Sequence, residues 1–197
     1  MKPSLVNAED LAQRQVAWTQ HWHEAPPGPA PTIEPWAAIE RNHRMNFDLW
    51  HAEDEARRDD LGPVSVRDAK RVIDRCNQLR NDAIEQFDVW LLGHFPPAGP
   101  GVPLHSETPG MIADRLSIMA LKFYHMRVEA TRESATADHR QKCAAKCAVL
   151  AEQRADLKNC LQVLLGELES GARQCKLYRQ FKMYNDRALN PQLYQKP

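Results

Sequence analysis

Two histidines and three acids lie at helical spacings on faces that also carry large apolar side chains. These candidate catalytic residues are His43, Glu53, Asp54, Asp114 and His125. A histidine oriented by a carboxylate is a common general base, because its pKa lies near neutrality. If the protein is an enzyme, we expect His43 or His125 to accept a proton while one of the acids orients it.

Amides, cations and an aromatic residue accompany this set and would suit an anionic ligand. The candidate substrate-binding residues are Asn46, Trp50, Thr108, Gly110, Arg115, Lys122, Arg179, Lys182 and Asn185. The cations would hold the anionic group through charge-assisted hydrogen bonds. Asn46 and Trp50 would contact the rest of the molecule.

The segment Thr108-Pro109-Gly110 is typical of a helix start that can seat an anion. Thr108 is a favourable N-cap, and proline at the first helical position sacrifices no hydrogen bond. Gly110 leaves the free N–H groups of the first turn open to approach, and the helix dipole favours negative charge there. Two interpretations stay open: an ordinary helix start, or a phosphate site closed by Arg115 or Lys182.

Metal chemistry has less support from the spacing. Glu40 and His43 form one Glu-x-x-His pair, but a di-metal bundle needs a second pair on another helix, and the sequence lacks one in a suitable position. Cys143 and Cys147 share an apolar helix face and are typical of small core residues. An irregular site built from the candidate acids and His125 stays open. We nevertheless expect no metal and no other cofactor.

Helices must position these side chains, since the apolar residues recur with helical periodicity and no stretch alternates like a strand. Helices are predicted over residues 8–22, 33–58, 66–92 and 137–169, with a further long helix that begins at Thr108 and Pro109. Ser65 is the expected N-cap of the 66–92 helix. Two segments rich in proline and glycine, residues 24–35 and 95–103, interrupt the helical pattern.

The helix over 137–169 carries the clearest core pattern, a heptad seam with one polar member. The seam consists of Cys143, Cys147, Leu150, Arg154, Leu157, Leu161, Leu164 and Leu168. Its expected partner is the preceding helix, where Ile112, Leu116, Met119, Phe123 and Met126 keep the same spacing. The sequence therefore predicts an all-α fold, an antiparallel helical bundle of four long helices plus short terminal helices. Residues 1–31 form a short helix and a Pro-rich link, and residues 32–197 form the bundle domain.

Polar residues mixed into apolar faces allow two interpretations. Asp114, Lys122 and His125 lie opposite the seam of their helix, together with Ile118 and Leu121, so we expect that helix to be covered on both sides. Buried polar groups must satisfy one another or bind a polar ligand. The face is either a structural network of hydrogen bonds or the wall of a pocket between helices.

Composition excludes several classes of partner. Lys plus Arg equals Asp plus Glu at 26 each, so no net charge attracts nucleic acid. No apolar stretch is long enough to insert into a membrane, and because the first residues lack an apolar segment, we expect no secretory signal. Five cysteines without a C-x-x-C pair fit free thiols in a reducing compartment, so we expect the protein in the cytoplasm.

Four ordered blocks between about residues 36 and 191 resemble a known family. They are "NHRMNFDLWHAEDEARR", "NQLRND", "ETPGMIADRLSIMALKFYHM" and "YRQFKMYNDRALNP". They are similar to the signature blocks of an uncharacterised bacterial family, domain of unknown function 4254. The last block departs from the family pattern, with Arg187 where proline is expected. The resemblance implies a small helical bacterial protein, with members often encoded among genes for cell-envelope glycan synthesis, and it supplies no reaction.

Residues and resemblance together give a functional expectation. The protein binds or modifies an anionic small molecule, a phosphorylated or nucleotide-linked sugar of bacterial envelope-glycan metabolism, in a polar pocket at the bundle centre. One alternative is a non-catalytic adaptor that partners a glycan-assembly enzyme. A second alternative is a metal-dependent helical-bundle oxidase. Homo-oligomer formation stays open.

Overall fold

A computed structural model of the protein describes residues 6–179 and 188–194. The helices are α1 (Ala8–Glu24), α2 (Trp36–Glu55), α3 (Gly62–Leu92), α4 (Pro109–Thr131), α5 (Ala137–Glu169) and the short α6 (Pro191–Tyr194), with a 3-10 turn over Asp59–Leu61. Two-residue strands, β1 (Leu104–His105) and β2 (Gln174–Cys175), pair in parallel. The predicted all-α bundle of four long helices is confirmed. None of the described helices combines the length and apolarity needed to cross a membrane.

Side-chain caps define the starts of three helices. Asn7 accepts a hydrogen bond from the Glu9 amide at the start of α1, and Thr136 caps α5. Thr108 caps α4 through the Met111 amide, with Pro109 at the first helical position as predicted.

The start of α3 differs from the prediction. The helix begins at Gly62 because the 3-10 turn leads directly into it, and Pro63 suits its first turn. Ser65 therefore lies inside α3 instead of capping it, and its hydroxyl donates to Glu55 Oε1 at 3.2 Å. The prediction placed the helix start one turn too late, because the turn residues before it carry no distinct capping signal.

The long helices pack as two hairpins, α2 with α3 and α4 with α5. Leu116 of α4 and Leu161 of α5 are fully buried in one core cluster, as the predicted seam requires. The opposite face of α4 is also buried, because Asp114 and Leu121 face away from the seam and have little exposed surface. The expectation that α4 is covered on both sides is confirmed.

The short helix α1 packs on α4 and α5 and contributes Leu11 to the same core. Gln162 of α5 accepts a hydrogen bond from the amide of Ala8 at 3.1 Å. Arg154, the polar member of the α5 seam, donates to the backbone carbonyl of Ala12. The polar residue in the seam thus has a structural partner in α1.

Candidate functional site

A buried carboxylate lies where α2 meets α4. Asp114 of α4 accepts hydrogen bonds from the side-chain amides of Asn42 and Asn46 of α2, each at 2.8 Å. The helical spacing of four residues places both amides on one face of α2. These bonds compensate Asp114 for the loss of water on burial.

A chain of hydrogen bonds continues from Asn46 into the core. The Asn46 amide donates to Ser117 Oγ at 3.0 Å, and Ser117 lies 2.7 Å from His43 Nδ1. His43 Nε2 lies 3.0 Å from Thr19 Oγ1, which donates to the Gln15 carbonyl at 2.8 Å. Because the Thr19 hydrogen is used on that carbonyl, the His43 ring donates from Nε2 and accepts at Nδ1 from Ser117. The hydroxyl groups of Ser117 and Thr19 in this chain of hydrogen bonds are therefore both satisfied.

The burial of His43 keeps its ring neutral. The side chain is fully buried, and desolvation lowers its pKa to about 3. Both ring nitrogens are hydrogen-bonded inside the core, so neither faces a space that a small molecule could enter. Around this residue, the geometry is that of a structural network.

An open cleft lies beside this network, between α2, α3 and α4. Its volume is about 350 Å³. The lining residues are Asn46, Leu49, Trp50, Glu53, Asp54, Arg57, Asn77, Arg80, Ile118 and Leu121. Four predicted site residues, Asn46, Trp50, Glu53 and Asp54, therefore share one concavity. Asp114 and His125 lie behind this lining instead of in it.

Arg80 lines the cleft, and its side chain is mostly buried, with 26% of its surface exposed. Its nearest acceptors are Asn46 Oδ1, 3.5 Å from Nη1, and Asp114 Oδ1, 3.9 Å from Nε. Both distances exceed those of a well-formed hydrogen bond. Arg80 Nε is buried and has no hydrogen-bond partner among the described residues.

A second cation lies at the rim of the cleft. Arg57 pairs with Glu53 at 3.1 Å, and both side chains are substantially exposed. Surface pairs of this kind contribute little to stability and exchange partners readily. Arg57 also donates to the backbone carbonyl of Glu53, so both of these partners belong to one residue at the rim.

The carboxylate of Asp88 occupies the start of α4. Thr108 donates to Asp88 Oδ2 at 2.5 Å, and the Gly110 amide donates to Asp88 Oδ1 at 2.7 Å. A Cβ at position 110 would lie within 2.8 Å of both carboxylate oxygens. Of the two interpretations of the Thr-Pro-Gly segment, the structure shows a helix start satisfied by an acid of the chain itself.

Burial raises the pKa of Asp88, whereas it lowers the pKa of His43. Desolvation raises the pKa of Asp88 to about 6, although the hydrogen bonds from Thr108 and Gly110 act to lower it. The partial positive charge at the helix N-terminus further favours the ionised form. Asp88 is thus a helix-capping carboxylate that α3 supplies to α4.

Three histidines from three helices meet beside Trp50. His125 stacks on Trp50, and its ring centroid lies 5.0 Å from that of His23 and 5.9 Å from that of His51. Burial lowers the pKa of His125 to about 4, and the two neighbouring histidines act in the same direction. Within the described ranges, these residues are the one group of three or more His, Cys, Asp or Glu side chains with metal-ligand spacing. Neither the irregular acid–histidine set that the sequence left open nor Glu40 with His43 forms such a group there.

The remaining predicted cations are dispersed. Arg115 pairs with Glu107 at 2.9 Å outside the cleft, and Lys122 and Arg179 are exposed. Lys182 and Asn185 lie outside the described residues. Of the four cations predicted to hold one anion, the three that the structure describes do not line the cleft.

Sequence reasoning missed several residues that the fold brings together. Asn77, Arg80 and Asp88 share a face of α3 that mixes polar and apolar residues. Nothing in the neighbouring sequence distinguishes them as cleft or capping residues. His23 lies near the end of α1, where basic residues are common. Only the packing of α1 against α4 brings it to His125.

Comparison with protein families gives a match over most of the chain. The family model described as "Protein of unknown function (DUF4254)" matches residues 36–177. No curated protein sequence and no solved structure gives a significant match. The matched range contains the four long helices and the whole lining of the cleft, whereas α1 precedes it.

Proposed function

The chain belongs to the DUF4254 family, and we propose that its central cleft binds an anionic small molecule, a phosphorylated or nucleotide-linked sugar. The anionic character is argued from the residues of the cleft. The sugar, and a role in bacterial envelope-glycan metabolism, follow from the resemblance of the signature blocks. The five cysteines are free thiols, which supports a cytoplasmic location.

The incomplete hydrogen bonding of Arg80 is the observation that carries this proposal. A buried guanidinium donor without a well-placed acceptor costs free energy, and a ligand oxygen that draws the guanidinium toward the cleft would recover it. Phosphate oxygens match the planar fork of an arginine side chain, which binds them with two parallel hydrogen bonds. Arg57 at the rim supplies a second positive charge within the same lining.

The remaining walls suit a hydroxyl-rich body. Glu53, Asp54 and Asn77 offer hydrogen-bond acceptors, while Trp50 and Ile118 provide apolar surface. A cleft of about 350 Å³ falls in the range of small-molecule sites, which combine apolar walls with a few fixed polar groups. The body of the ligand would lie between these walls, with its anionic group at Arg80.

Any proton transfer in this cleft would fall to Glu53 or Asp54, because they are the acids of its lining. His43 is sealed in the core, and His125 lies behind Trp50. The geometry thus supports binding more directly than it supports a particular reaction.

Calorimetric titration tests the proposal with three probes: a nucleotide-sugar such as UDP-glucose, a sugar phosphate, and glucose as the uncharged control. We expect the charged probes to bind and glucose not to bind. Arg80→Gln should weaken binding by at least about tenfold, since charged hydrogen bonds contribute roughly 1.5–3 kcal/mol. Arg115→Gln removes an exposed arginine outside the cleft and serves as the matched control.

Equal affinities of wild type and Arg80→Gln would contradict the proposal, as would binding of glucose alone. Failure of every probe, together with co-purification of a glycan-assembly enzyme, would favour the adaptor hypothesis.

A further inference from the structure

We propose that His23, His51 and His125 form a binding site for a divalent transition-metal ion of the zinc class. The three side chains each offer one ring nitrogen, and these nitrogens all lie within 4.8 Å of one another. They come from α1, α2 and α4, so the site would join three helices. The proposed metal site does not depend on the sugar-binding role proposed for the neighbouring cleft.

His23 is oriented as metal-binding histidines commonly are. Its Nδ1 lies 2.7 Å from the backbone carbonyl of Thr19, which can only accept a hydrogen bond, so Nδ1 carries the hydrogen. Nε2 therefore presents a lone pair. In metal-binding histidines, the ring nitrogen that does not bind the metal commonly donates a hydrogen bond to a carbonyl. This hydrogen bond fixes both the tautomer and the ring orientation.

Two ring nitrogens of this group are buried without a hydrogen-bond partner among the described residues. His23 Nε2 and His125 Nε2 are inaccessible to solvent, and no described residue hydrogen-bonds to either of them. Buried polar atoms are nearly always paired, so two exceptions on adjacent rings require an explanation. A shared metal ion would satisfy both at once.

Aromatic neighbours restrict the movement of both rings. Tyr124 stacks on His23 with a centroid distance of 4.0 Å, and Trp50 stacks on His125 at 4.4 Å with planes 3° from parallel. Fixed ligands lose little conformational freedom when they bind an ion. Packing explains how the rings are held, but it leaves their unpaired nitrogens unexplained.

His51 is the exposed member of the group and gives an ion access from solvent. Zinc–nitrogen bonds of 2.0–2.1 Å in a tetrahedron place ligand nitrogens about 3.3 Å apart. Closing each pair from at most 4.8 Å requires shifts of about 1.5 Å or less, which rotation of the exposed His51 side chain and small movements of the two stacked rings together supply.

The ligand types select the class of ion. Imidazole nitrogens suit zinc, cobalt, nickel and copper, whereas magnesium and calcium prefer oxygen. Asp54 is close enough to influence the pKa values of both His51 and His125, so a negative charge lies near the proposed cation. Three histidines leave a fourth coordination position for water or a ligand oxygen.

Metal binding by the full chain tests the inference directly. Protein stripped with a chelator is titrated with Zn²⁺ by calorimetry, and bound metal is counted by elemental analysis after dialysis. We expect about one ion per chain and, with Co²⁺, the intense visible absorption of a tetrahedral site. His51→Ala should weaken binding by at least about tenfold.

Two further variants complete the test. His94→Ala removes an exposed histidine of the region after α3, outside the cluster, and should bind like wild type. His23→Gln, expected to weaken binding as His51→Ala does, tests the buried ligand, with circular dichroism confirming the fold. Absence of bound metal would overturn the inference, as would wild-type affinity in His51→Ala or an equal loss in His94→Ala. All titrations are made without sugar, and Arg80→Gln should bind zinc normally, so failure here is distinct from failure of the cleft proposal.

Discussion

Trp50 and His125 form a parallel stack, with ring centroids 4.4 Å apart and planes inclined by 3°. Trp50 lines the cleft between α2, α3 and α4, and His125, which stacks on the Trp50 ring, belongs to the histidine cluster. The two proposed sites therefore share a wall. Asp54 also belongs to both regions, since it lines the cleft and acts electrostatically on His125.

Replacing Trp50 with Leu should impair both proposed sites. Loss of the stacked ring frees His125 to rotate, so we expect the zinc affinity to fall several-fold, alongside weaker binding of the nucleotide-sugar. Calorimetric titration with each ligand measures the two effects. Trp90 contacts His94 at the same centroid distance of 4.4 Å, with planes inclined by 43°, so Trp90→Leu is a control outside both sites that should leave both affinities unchanged.

Gly110→Ala should destabilise the fold. The added methyl group would lie 2.7 Å from Asp88 Oδ2, so the carboxylate must move away from the Thr108 hydroxyl and the residue 110 amide. We expect a loss of about 1–3 kcal/mol in the free energy of unfolding, from overpacking and broken hydrogen bonds. Urea denaturation measures it.

Gly166 of α5 provides the comparison, because a Cβ there would meet nothing within 4 Å. Gly166→Ala should stabilise the protein by about 0.5–1 kcal/mol, since alanine is the better helix former. Equal effects of the two substitutions would contradict the assigned role of Asp88.

Ser117→Ala should interrupt the chain of hydrogen bonds that runs from Asn46 through Ser117 and His43 to Thr19. The change leaves His43 Nδ1 without a donor and removes an acceptor from the Asn46 amide. A cost of about 1–3 kcal/mol in unfolding free energy is expected for such buried groups. Ser134→Ala, on the exposed connection between α4 and α5, should stay within about 0.5 kcal/mol of wild type in the same denaturation experiment.

Acid should weaken the fold through His43. Its pKa is about 3 in the folded protein against 6.5 in the unfolded chain, so the unfolded state binds more protons between these values. The stabilisation is complete above pH 6.5 and is lost as the pH falls toward 3. Each pH unit within this window corresponds to about 1.4 kcal/mol.

The contribution of His43 is isolated by comparison with His43→Gln, which cannot take up the proton. Unfolding free energies of both proteins are measured by urea denaturation from neutral pH to about pH 4. The wild-type curve should fall more steeply, because other acid-sensitive groups act equally in both proteins. Parallel curves would show that His43 does not titrate as proposed.

Several local features follow from the sequence for clear physical reasons. Caps and proline act within one helical turn, so the start of α4 at Thr108 and Pro109 was predictable. The seam of α5 was predictable because heptad spacing directs one row of residues to a neighbouring helix. The start of α3 was not, since its preceding turn lacks a capping side chain.

The candidate site was only partly predictable. Helical periodicity makes Trp50, Asn46 and Glu53 neighbours on α2, and the cleft contains all three. It could not distinguish His43, whose ring is sealed by Thr19 of α1, from a histidine beside a cavity. That distinction depends on which helix covers the residue.

The sequence by itself determined which residues share a helix face, because a repeat of 3.6 residues is a local property of the backbone. Tertiary structure decided which faces meet. It brought Asp88 of α3 to the first turn of α4, where an anion had been considered. It also brought His23 of α1 to His51 and His125, residues far apart in the chain, because core packing sets the position of α1.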